Sequence, residues 1–263
     1  MRVTALVENQ SFQENLQAEH GLSLYIETAE HKILFDMGQT DLFAENAAKL
    51  GINLADVDIA VLSHGHYDHG GGLKKFLEIN QKASVYMHPQ AFEPHYNGTE
   101  KYIGLDVSLM ENERILFTEG VTEIAEGVTL YSCNDHVKTY ELGSFGLNKK
   151  QGNVFLPDDF AHEHYLEIKE NGKSVLISGC SHKGILNIAE WFVPDVLIGG
   201  FHFSKLPLDE TLKGYAQYLN GFATEFYTCH CTGTEQFQFM KEQMKRLHYL
   251  STGESVKITE TII

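Results

Sequence analysis

The residues best suited to chemistry stand in one short segment, HGHYDH at 64–69. His64, His66 and His69 supply imidazole nitrogens, and Asp68 supplies a carboxylate. Zinc prefers these nitrogen and oxygen donors, which also suit iron and manganese. In an extended turn His64 and His66 point the same way and can bind one ion, while Asp68 and His69 reach a second ion nearby. The segment therefore predicts a two-cation site.

Three later segments also run from an apolar stretch into small residues and a histidine. They are VLISGCSHKGILNIAEWF from Val175, DVLIGGFHFSKL from Asp195 and EFYTCHCTGTEQFQFM from Glu225. Ligands of α/β proteins bind beyond the carboxyl ends of the strands, so residues that follow these strands should gather with the first motif. The candidates are His182, His202 and His230.

The elements that must position these residues alternate strands with helices, which favours an α/β layer fold. VTALVEN, LSLYIET and KILFDMG near the start are predicted strands, residues 40–50 a helix, and DIAVL at 58–62 a buried strand that leads into the motif. Residues 89–159 differ, because only Ile115–Phe117 and Val128–Ser132 predict strands there. Long loops join them, and such loops often bind ligands.

Composition excludes several classes of function. Twenty Lys and Arg against 36 Asp and Glu give a net charge of −16, which disfavours nucleic-acid binding. No apolar run reaches the roughly 18 residues of a membrane helix, and the N-terminus does not resemble a signal peptide. We therefore expect a cytoplasmic protein that contacts no membrane. Four cysteines are too few and too clustered for a disulfide framework.

The pattern His64-x-His66-x-Asp68-His69 after the strand DIAVLS resembles the signature of the metallo-β-lactamase superfamily. KILFDMG resembles the strand ending in Asp-x-Gly that precedes this signature. GCSHKGILNI, IGGFHF and TCHCTG resemble a narrower group of metal-dependent hydrolases and proteins similar to dihydropterin–ribofuranosylaminobenzene phosphate synthase. The resemblance implies a single-domain αββα sandwich over residues 1–263, with a binuclear site at its edge and the 89–159 insertion over that site.

The resemblance implies further metal ligands, although one ligand of the superfamily has no direct counterpart in this sequence. His230 matches the last metal-binding histidine of the superfamily. Cys180 falls where many members have a bridging Asp and some have a metal-binding Cys, while His182, two residues later, faces the same side and could ligate as well. The third histidine of the first metal site has no counterpart in residues 157–164. Asp159 or His182 could take its place.

Other polar residues near the motifs receive structural interpretations. Cys229 and Cys231 alternate with His230, so they are expected to face away from the metal and pack. His162 and His164 are predicted to lie at the surface. Asp36 is predicted to form hydrogen bonds to the local backbone or to a metal ligand rather than to bind metal. His88 is predicted to lie near the site or in the core, and surface or core positions are predicted for His20, His31, His95, His136 and His248.

These observations predict a hydrolase of a small-molecule ester (a phosphoester, lactone or thioester) that acts through a metal-bound hydroxide. Two divalent ions are expected. Zinc is the expected metal for both, and iron and manganese are the alternatives. Asp68 would orient the hydroxide while ligating the second ion, and His202 would protonate the leaving group or bind an anionic oxygen. The expected partner is a small anionic molecule, which the metal charge would attract. Candidate anion contacts are Lys101, Lys149 and Lys150.

Three other functions stay open at this point. A synthase-like transferase that forms a pterin–aryl ribotide adduct would need a pocket for two aromatic partners, to which Phe92, Tyr96, Tyr102 and Phe145 could contribute. A di-iron oxygen or nitric oxide reductase is disfavoured, because such members resemble His-x-Glu-x-Asp-His and position 66 is His. The third is a non-enzymatic metal-binding module.

Overall fold

The computed structural model describes residues 1–259, and within that range the strands form two large sheets and one small sheet. The first sheet contains, in spatial order, Ser255–Lys257 (β18), Arg2–Val7 (β1), Ser23–Glu27 (β2), Lys32–Phe35 (β3), Ile59–Val61 (β4), Ser84–Met87 (β5) and Ile115–Phe117 (β8). The second contains Leu247–Tyr249 (β17), Glu225–Thr228 (β16), Val196–Gly199 (β15), Lys173–Ser178 (β14), Tyr165–Glu170 (β13), Val128–Tyr131 (β10) and Val121–Ala125 (β9). The small sheet contains Val154–Pro157 (β12), Leu147–Gln151 (β11), His95–Asn97 (β6) and Lys101–Tyr102 (β7).

The helices cover the outer faces of the two large sheets. Their bounds are Leu42–Lys49 (α1), Tyr67–Gly70 (α2), Leu73–Ile79 (α3), Ile185–Phe192 (α4), Glu210–Asn220 (α5) and Thr234–Lys241 (α6). Side chains of α1 and α3 pack on the first sheet, and those of α4, α5 and α6 pack on the second. The predicted αββα sandwich is therefore confirmed. None of the helices in residues 1–259 is long and apolar enough to span a membrane.

Strand alternation explains why the central strands are apolar throughout. Ile59 and Val61 of β4 point into the core between the two sheets, whereas Ala60 points outward to α1 and α3. Val175 and Ile177 of β14 point into the same core from the second sheet. Because side chains alternate along a strand, a strand covered on both faces needs apolar residues at every position.

Parallel strands carry the functional segments to one edge of the sandwich. β4 lies parallel between β3 and β5 in the first sheet, while β14, β15 and β16 run parallel to one another in the second. The four histidine-bearing segments thus come from two sheets. Their loops nevertheless meet, since the rings of His64 after β4 and His182 after β14 are 4.9 Å apart.

The 89–159 span divides into two parts. Ile115–Phe117 and Val128–Tyr131 are strands, close to prediction, and with β9 they extend the two large sheets. Long loops make up most of the remainder, as predicted, but four short strands among them form the small sheet, which was not predicted. Strands such as LNKKQ carry no apolar alternation, so the pattern could not reveal them. The small sheet packs against the motif through Ile103, whose carbonyl oxygen accepts a 2.8 Å bond from the Tyr67 amide.

Candidate metal centre

The HGHYDH motif is a tight turn between β4 and α2. His66 is the N-cap of α2, so Asp68 and His69 lie on its single turn. A Cβ atom at Gly65 would stand 2.1 Å from the carbonyl oxygen of Ala91, so this position requires glycine. The backbone of the motif is therefore held close to the loop after β5.

The first set of donors contains three imidazoles. Ring nitrogens of His64, His66 and His182 lie within 4.8 Å of one another, and all three residues are buried. Nε2 of His64, Nε2 of His66 and both ring nitrogens of His182 have no hydrogen-bond partner among the described residues. Leaving a buried polar atom unpaired is costly, so these nitrogens are suited to bind a cation.

The second set of donors is more compact. Nε2 of His69 lies 3.2 Å from Sγ of Cys180 and 3.2 Å from Nε2 of His230. Oδ2 of Asp68 lies 3.5 Å from Nε2 of His230 and 3.9 Å from Nε2 of His69. Ligand atoms of a tetrahedral ion with bonds of 2.0–2.1 Å stand about 3.4 Å apart. The distances of 3.2–3.9 Å are close to that spacing, and His69 neighbours each of the other three donors.

Hydrogen bonds at the far side of the rings fix their orientation. Nδ1 of His69 donates to Asp36 Oδ2 at 2.7 Å, and Nδ1 of His230 donates to Asn9 Oδ1 at 2.8 Å. Asp36 also accepts from the amide and the hydroxyl of Ser63, each at 2.7 Å. In a neutral ring such a bond places the proton on Nδ1, leaves the lone pair of Nε2 free and fixes the direction in which Nε2 points. Asp36 thus makes hydrogen bonds to the local backbone and to a candidate ligand, as predicted.

Burial and neighbouring charges set the protonation of these groups. Burial and the neighbouring imidazoles lower the pKa of His64 and His182 well below the ordinary value, which keeps both rings neutral. Burial alone would lower the pKa of His69, but Asp36 and Asp68 outweigh it and raise that pKa to about 9. The Asp68 pKa is lowered despite burial, chiefly by His69, and its carboxylate is ionised. His64 and His182 can therefore bind a divalent cation directly, whereas His69 must release a proton when it binds one.

Strained backbone concentrates at this centre. Non-glycine residues rarely adopt positive φ, and such strain tends to cluster at functional sites. Around the two donor sets, φ lies between 49° and 60° at Asp36, Phe160, Ser181, His202 and His230.

A cavity of about 160 Å³ opens onto both donor sets. Asp68, His182 and His230 line it together with His202, whose ring lies 4.4 Å from that of His182. The residues that supply positive charge to its wall are Lys101 and Lys205. Of the other predicted anion contacts, Lys149 pairs with Asp159 at 2.7 Å and Lys150 lies 5.4 Å from the ring centre of Phe155.

The sequence matches the family model of the metallo-beta-lactamase superfamily over residues 17–219. The chain belongs to this superfamily. It is 31% identical to the uncharacterized protein MJ0448 of Methanocaldococcus jannaschii, over 97% of this chain and 100% of that protein. It is 28% identical to the 7,8-dihydropterin-6-methyl-4-(beta-D-ribofuranosyl)-aminobenzene-5'-phosphate synthase of the same organism, over 91% and 90%. The crystal structure of Tm1679, a metal-dependent hydrolase of the beta-lactamase superfamily, matches with 30% identity, a TM-score of 0.85, and coverage of 99% and 100%.

The metallo-beta-lactamase fold implies divalent metal binding, and all the predicted ligands meet at one edge of the sandwich. His182 stands with His64 and His66, whereas Cys180 stands with the second set. Asp159 does not join either set, because its exposed side chain pairs with Lys149. That these donors bind metal stays a prediction.

The structure adds a buried cluster that sequence reasoning missed. Oδ2 of Asp158 accepts bonds from Nδ1 of His95 at 2.8 Å and Nε2 of His162 at 3.4 Å, and lies 4.0 Å from Nε2 of His66. Nδ1 of His162 accepts the amide of Gly65, so its proton sits on Nε2 and faces Asp158. Asp158 therefore links the small sheet to the metal motif. The only sequence signal for this cluster was the pair of adjacent aspartates, Asp158 and Asp159.

Two sequence interpretations were wrong. His162 and His164 are buried, not at the surface. The ring of His162 packs against that of His95 at 4.0 Å, and the ring of His164 packs against that of His88 at 5.4 Å. Cys231 lines the cavity, whereas strict alternation placed it on the far side from His230. The chain leaves β16 at Thr228, and a turn at His230–Thr232 with positive φ at His230 reorients the side chain. Cys229, by contrast, packs between the two sheets as predicted.

Proposed function

We propose that this metallo-beta-lactamase fold protein is a binuclear hydrolase of a small-molecule ester, such as a phosphoester, lactone or thioester. The observation that carries the proposal is the pair of adjacent donor sets at one cavity, one with unpartnered imidazole nitrogens and one with near-tetrahedral spacing. Zinc is the proposed metal, since imidazole, carboxylate and thiolate are all among its ligands.

Each set would hold one cation. The first comprises His64, His66 and His182, and the second comprises Asp68, His69, Cys180 and His230. When bound, two divalent cations lower the pKa of a water toward about 7 and polarise the oxygen of the electrophile. Burial of the donors keeps bulk water away from the ligands.

Two side chains at the cavity have catalytic roles in this proposal. Asp68 is ionised, and His20 Nε2 holds its Oδ2 at 3.2 Å, so the carboxylate can orient the attacking water by accepting its proton in a hydrogen bond. His202 borders the same cavity, where its ring can protonate the leaving oxygen or bind an anionic oxygen of the substrate.

The cavity suggests a small, anionic substrate. Lys101 and Lys205 bring positive charge to a chain whose net charge is −16. Nζ of Lys101 donates to the Tyr67 hydroxyl at 3.3 Å, and Nζ of Lys205 donates to the carbonyl oxygen of Phe145 at 3.3 Å. Both ammonium groups are thereby held near the metal motif, where a phosphate or carboxylate would be attracted.

The second candidate is a synthase-like transferase that joins a pterin to an aryl ribotide. The similarity to the aminobenzene-5'-phosphate synthase over most of both chains favours it. Phe145, whose ring lies 5.1 Å from that of His202, could contact an aromatic substrate. Phe92 could not, because its side chain is buried in the core between the first sheet and helices α1 and α3.

Elemental analysis and an ester panel test the proposal together. Protein purified without added metal is expected to hold about two zinc ions per chain, and the Asp68→Ala variant nearer one. Hydrolysis of phosphodiesters, lactones or thioesters should fall at least about a hundredfold in Asp68→Ala. His136→Ala, at an exposed histidine, is the matched control.

Two results would overturn the binuclear hydrolase. One is a single ion, or none, that the Asp68 substitution leaves unchanged. The other is full metal loading without hydrolysis of any ester, combined with formation of a pterin–aryl ribotide adduct, which would establish the transferase instead.

A further inference from the structure

Two thiols and an imidazole meet beside the proposed cation sites. Sγ of Cys180, Sγ of Cys231 and a ring nitrogen of His202 lie within 4.8 Å of one another. Both cysteines are buried, and Nδ1 of His202 has no partner in the described part of the chain. Sγ of Cys231 approaches the carbonyl oxygen of Cys180 at 3.6 Å, a weak hydrogen bond for a thiol.

The backbone is shaped to bring these groups together. His202 has a φ of 57°, and His230, directly before Cys231, has a φ of 49°. The amide of Gly200 donates to the carbonyl oxygen of Gly179 at 2.8 Å, which joins the loops after β14 and β15. A Cβ atom at Gly200 would stand 2.4 Å from Sγ of Cys231, so the glycine leaves room for the thiol. The convergence therefore depends on positive φ in two separate loops, after β15 and after β16.

We propose that Cys180, Cys231 and His202 form a third cation position, selective for soft divalent ions such as zinc and cadmium. Two sulfur ligands, one imidazole and a free fourth position make a zinc site of the open kind. Sulfur donors disfavour magnesium and calcium, which take oxygen ligands. All three residues line the 160 Å³ cavity, so an ion can enter from solvent and the fourth position faces that space.

Binding at this position is an exchange of protons for metal. Each thiol releases its proton to solvent as its sulfur bonds the cation, so two protons leave and no electron is transferred. Cys180 belongs to the second donor set as well, since its Sγ lies 3.2 Å from Nε2 of His69. A thiolate sulfur has several lone pairs and can bridge two cations. The third position is therefore an extension of the metal centre through Cys180.

Occupation of the third position has a consequence for catalysis. A cation on His202 would take the lone pair that ester cleavage uses for proton transfer. Excess zinc or cadmium should therefore inhibit the enzyme at concentrations above those that fill the two catalytic sites. This consequence depends on the proposed hydrolase function, whereas the binding itself does not.

Cadmium is the probe for the test. Protein as isolated, kept reduced with a non-thiol reductant, is titrated with Cd²⁺ while the ultraviolet thiolate-to-cadmium absorption is recorded. Wild type should show the absorption of two thiolates, and Cys231→Ser should show about half of it. Cys133→Ser is the matched control, because Cys133 is a buried thiol that lies outside the cavity lining and should leave the absorption unchanged.

A second variant protects the test against misfolding. His202→Ala alters a half-buried side chain, keeps both thiols, and should weaken cadmium binding at least about tenfold because one of three protein ligands is lost. Thermal unfolding of each variant verifies that it is folded. Equal absorption from wild type and Cys231→Ser overturns the third position. If ester hydrolysis persists in that case, the proposed function stands; if cadmium binds as expected and no ester is cleaved, the proposed function fails alone.

Discussion

The two proposed cation sites differ in how their ligands are held. In the second set, the far nitrogens of His69 and His230 each donate to an oxygen at 2.7–2.8 Å. In the first set, both nitrogens of His182 are unpartnered within residues 1–259, and its ring is held by stacking on Phe160 at 4.2 Å. Nε2 of His66 lies 4.0 Å from Oδ2 of Asp158, which is too far for a hydrogen bond. The second site is thus preorganised by hydrogen bonds, and the first depends more on packing.

The difference has a thermodynamic meaning. Ligands that are already oriented lose little freedom when the ion binds, and partners behind the first ligands change metal affinity by about 10–100-fold. We therefore expect stepwise chelation to remove the first cation before the second. The predictions below test this contrast, beginning with the change of largest expected effect.

Asp36→Asn should cause the largest loss. The buried Asp36 carboxylate accepts bonds from the amide and hydroxyl of Ser63 and from His69, and an amide cannot replace it. The free energy of unfolding should fall by about 3 kcal/mol. Metal affinity of the second site should drop about 10–100-fold. Chemical denaturation and metal titration measure the two effects.

Asp41→Asn is the control for this change, since Asp41 is exposed and only pairs loosely with Lys75 at 3.7 Å. If Asp36→Asn retained wild-type affinity at the second site, the idea of preorganisation through His69 would be wrong.

The free energy of unfolding should decrease at acid pH because two buried histidines, His88 and His164, are neutral in the folded protein. Burial lowers the pKa of His164 to about 3 and that of His88 to about 4, so both are neutral in the folded protein. In the unfolded chain a histidine takes up its proton near pH 6.5. Stability is therefore complete above pH 6.5 and falls by about 1.4 kcal/mol per pH unit for each histidine as the pH drops toward 4.

His164→Gln should remove one of these two contributions. Between pH 6.5 and pH 5 its stability should decline by about 2 kcal/mol less than that of wild type. Denaturant unfolding at both pH values measures this, with His136→Ala at an exposed histidine as the control. An unchanged pH dependence in His164→Gln would contradict the assignment.

Asp158→Asn tests the link between the small sheet and the first site. Loss of the charge that holds His95 and His162 should lower the free energy of unfolding by about 2 kcal/mol. It should weaken the first cation by about tenfold and leave the second nearly unchanged. The neighbour Asp159→Asn is the matched control, because that carboxylate is exposed. Equal effects at both cation sites would remove the distinction between them.

Phe160→Leu should have the smallest effect. The substitution keeps an apolar side chain but removes the stacking on His182, which lies at an interplanar angle of 6°. Such aromatic pairs contribute about 0.5–1.5 kcal/mol, so the first cation should bind up to about tenfold more weakly. Stepwise chelation measures the change. A larger loss at the second site than at the first would reverse the comparison.

Much of the fold could be predicted because the local patterns agree with it. The strand ending at Val61, the helix over α1 and the strands β14, β15 and β16 all carry strong apolar signals. The motif at 64–69 indicated candidate metal ligands by type and spacing, since donors a few residues apart on a turn must be neighbours in space. The small sheet escaped prediction because its polar strands are held by partners distant in sequence.

The sequence by itself determined which side chains could bind metal and that they would follow apolar strands. Only the tertiary structure decided how they divide: His182 stands with His64 and His66, and Cys180 stands with His69 and His230. It also decided that Asp158, and not Asp159, is buried beside the motif. The physical reason is that loops with positive φ, such as those at His202 and His230, break the alternation on which strand-based reasoning depends.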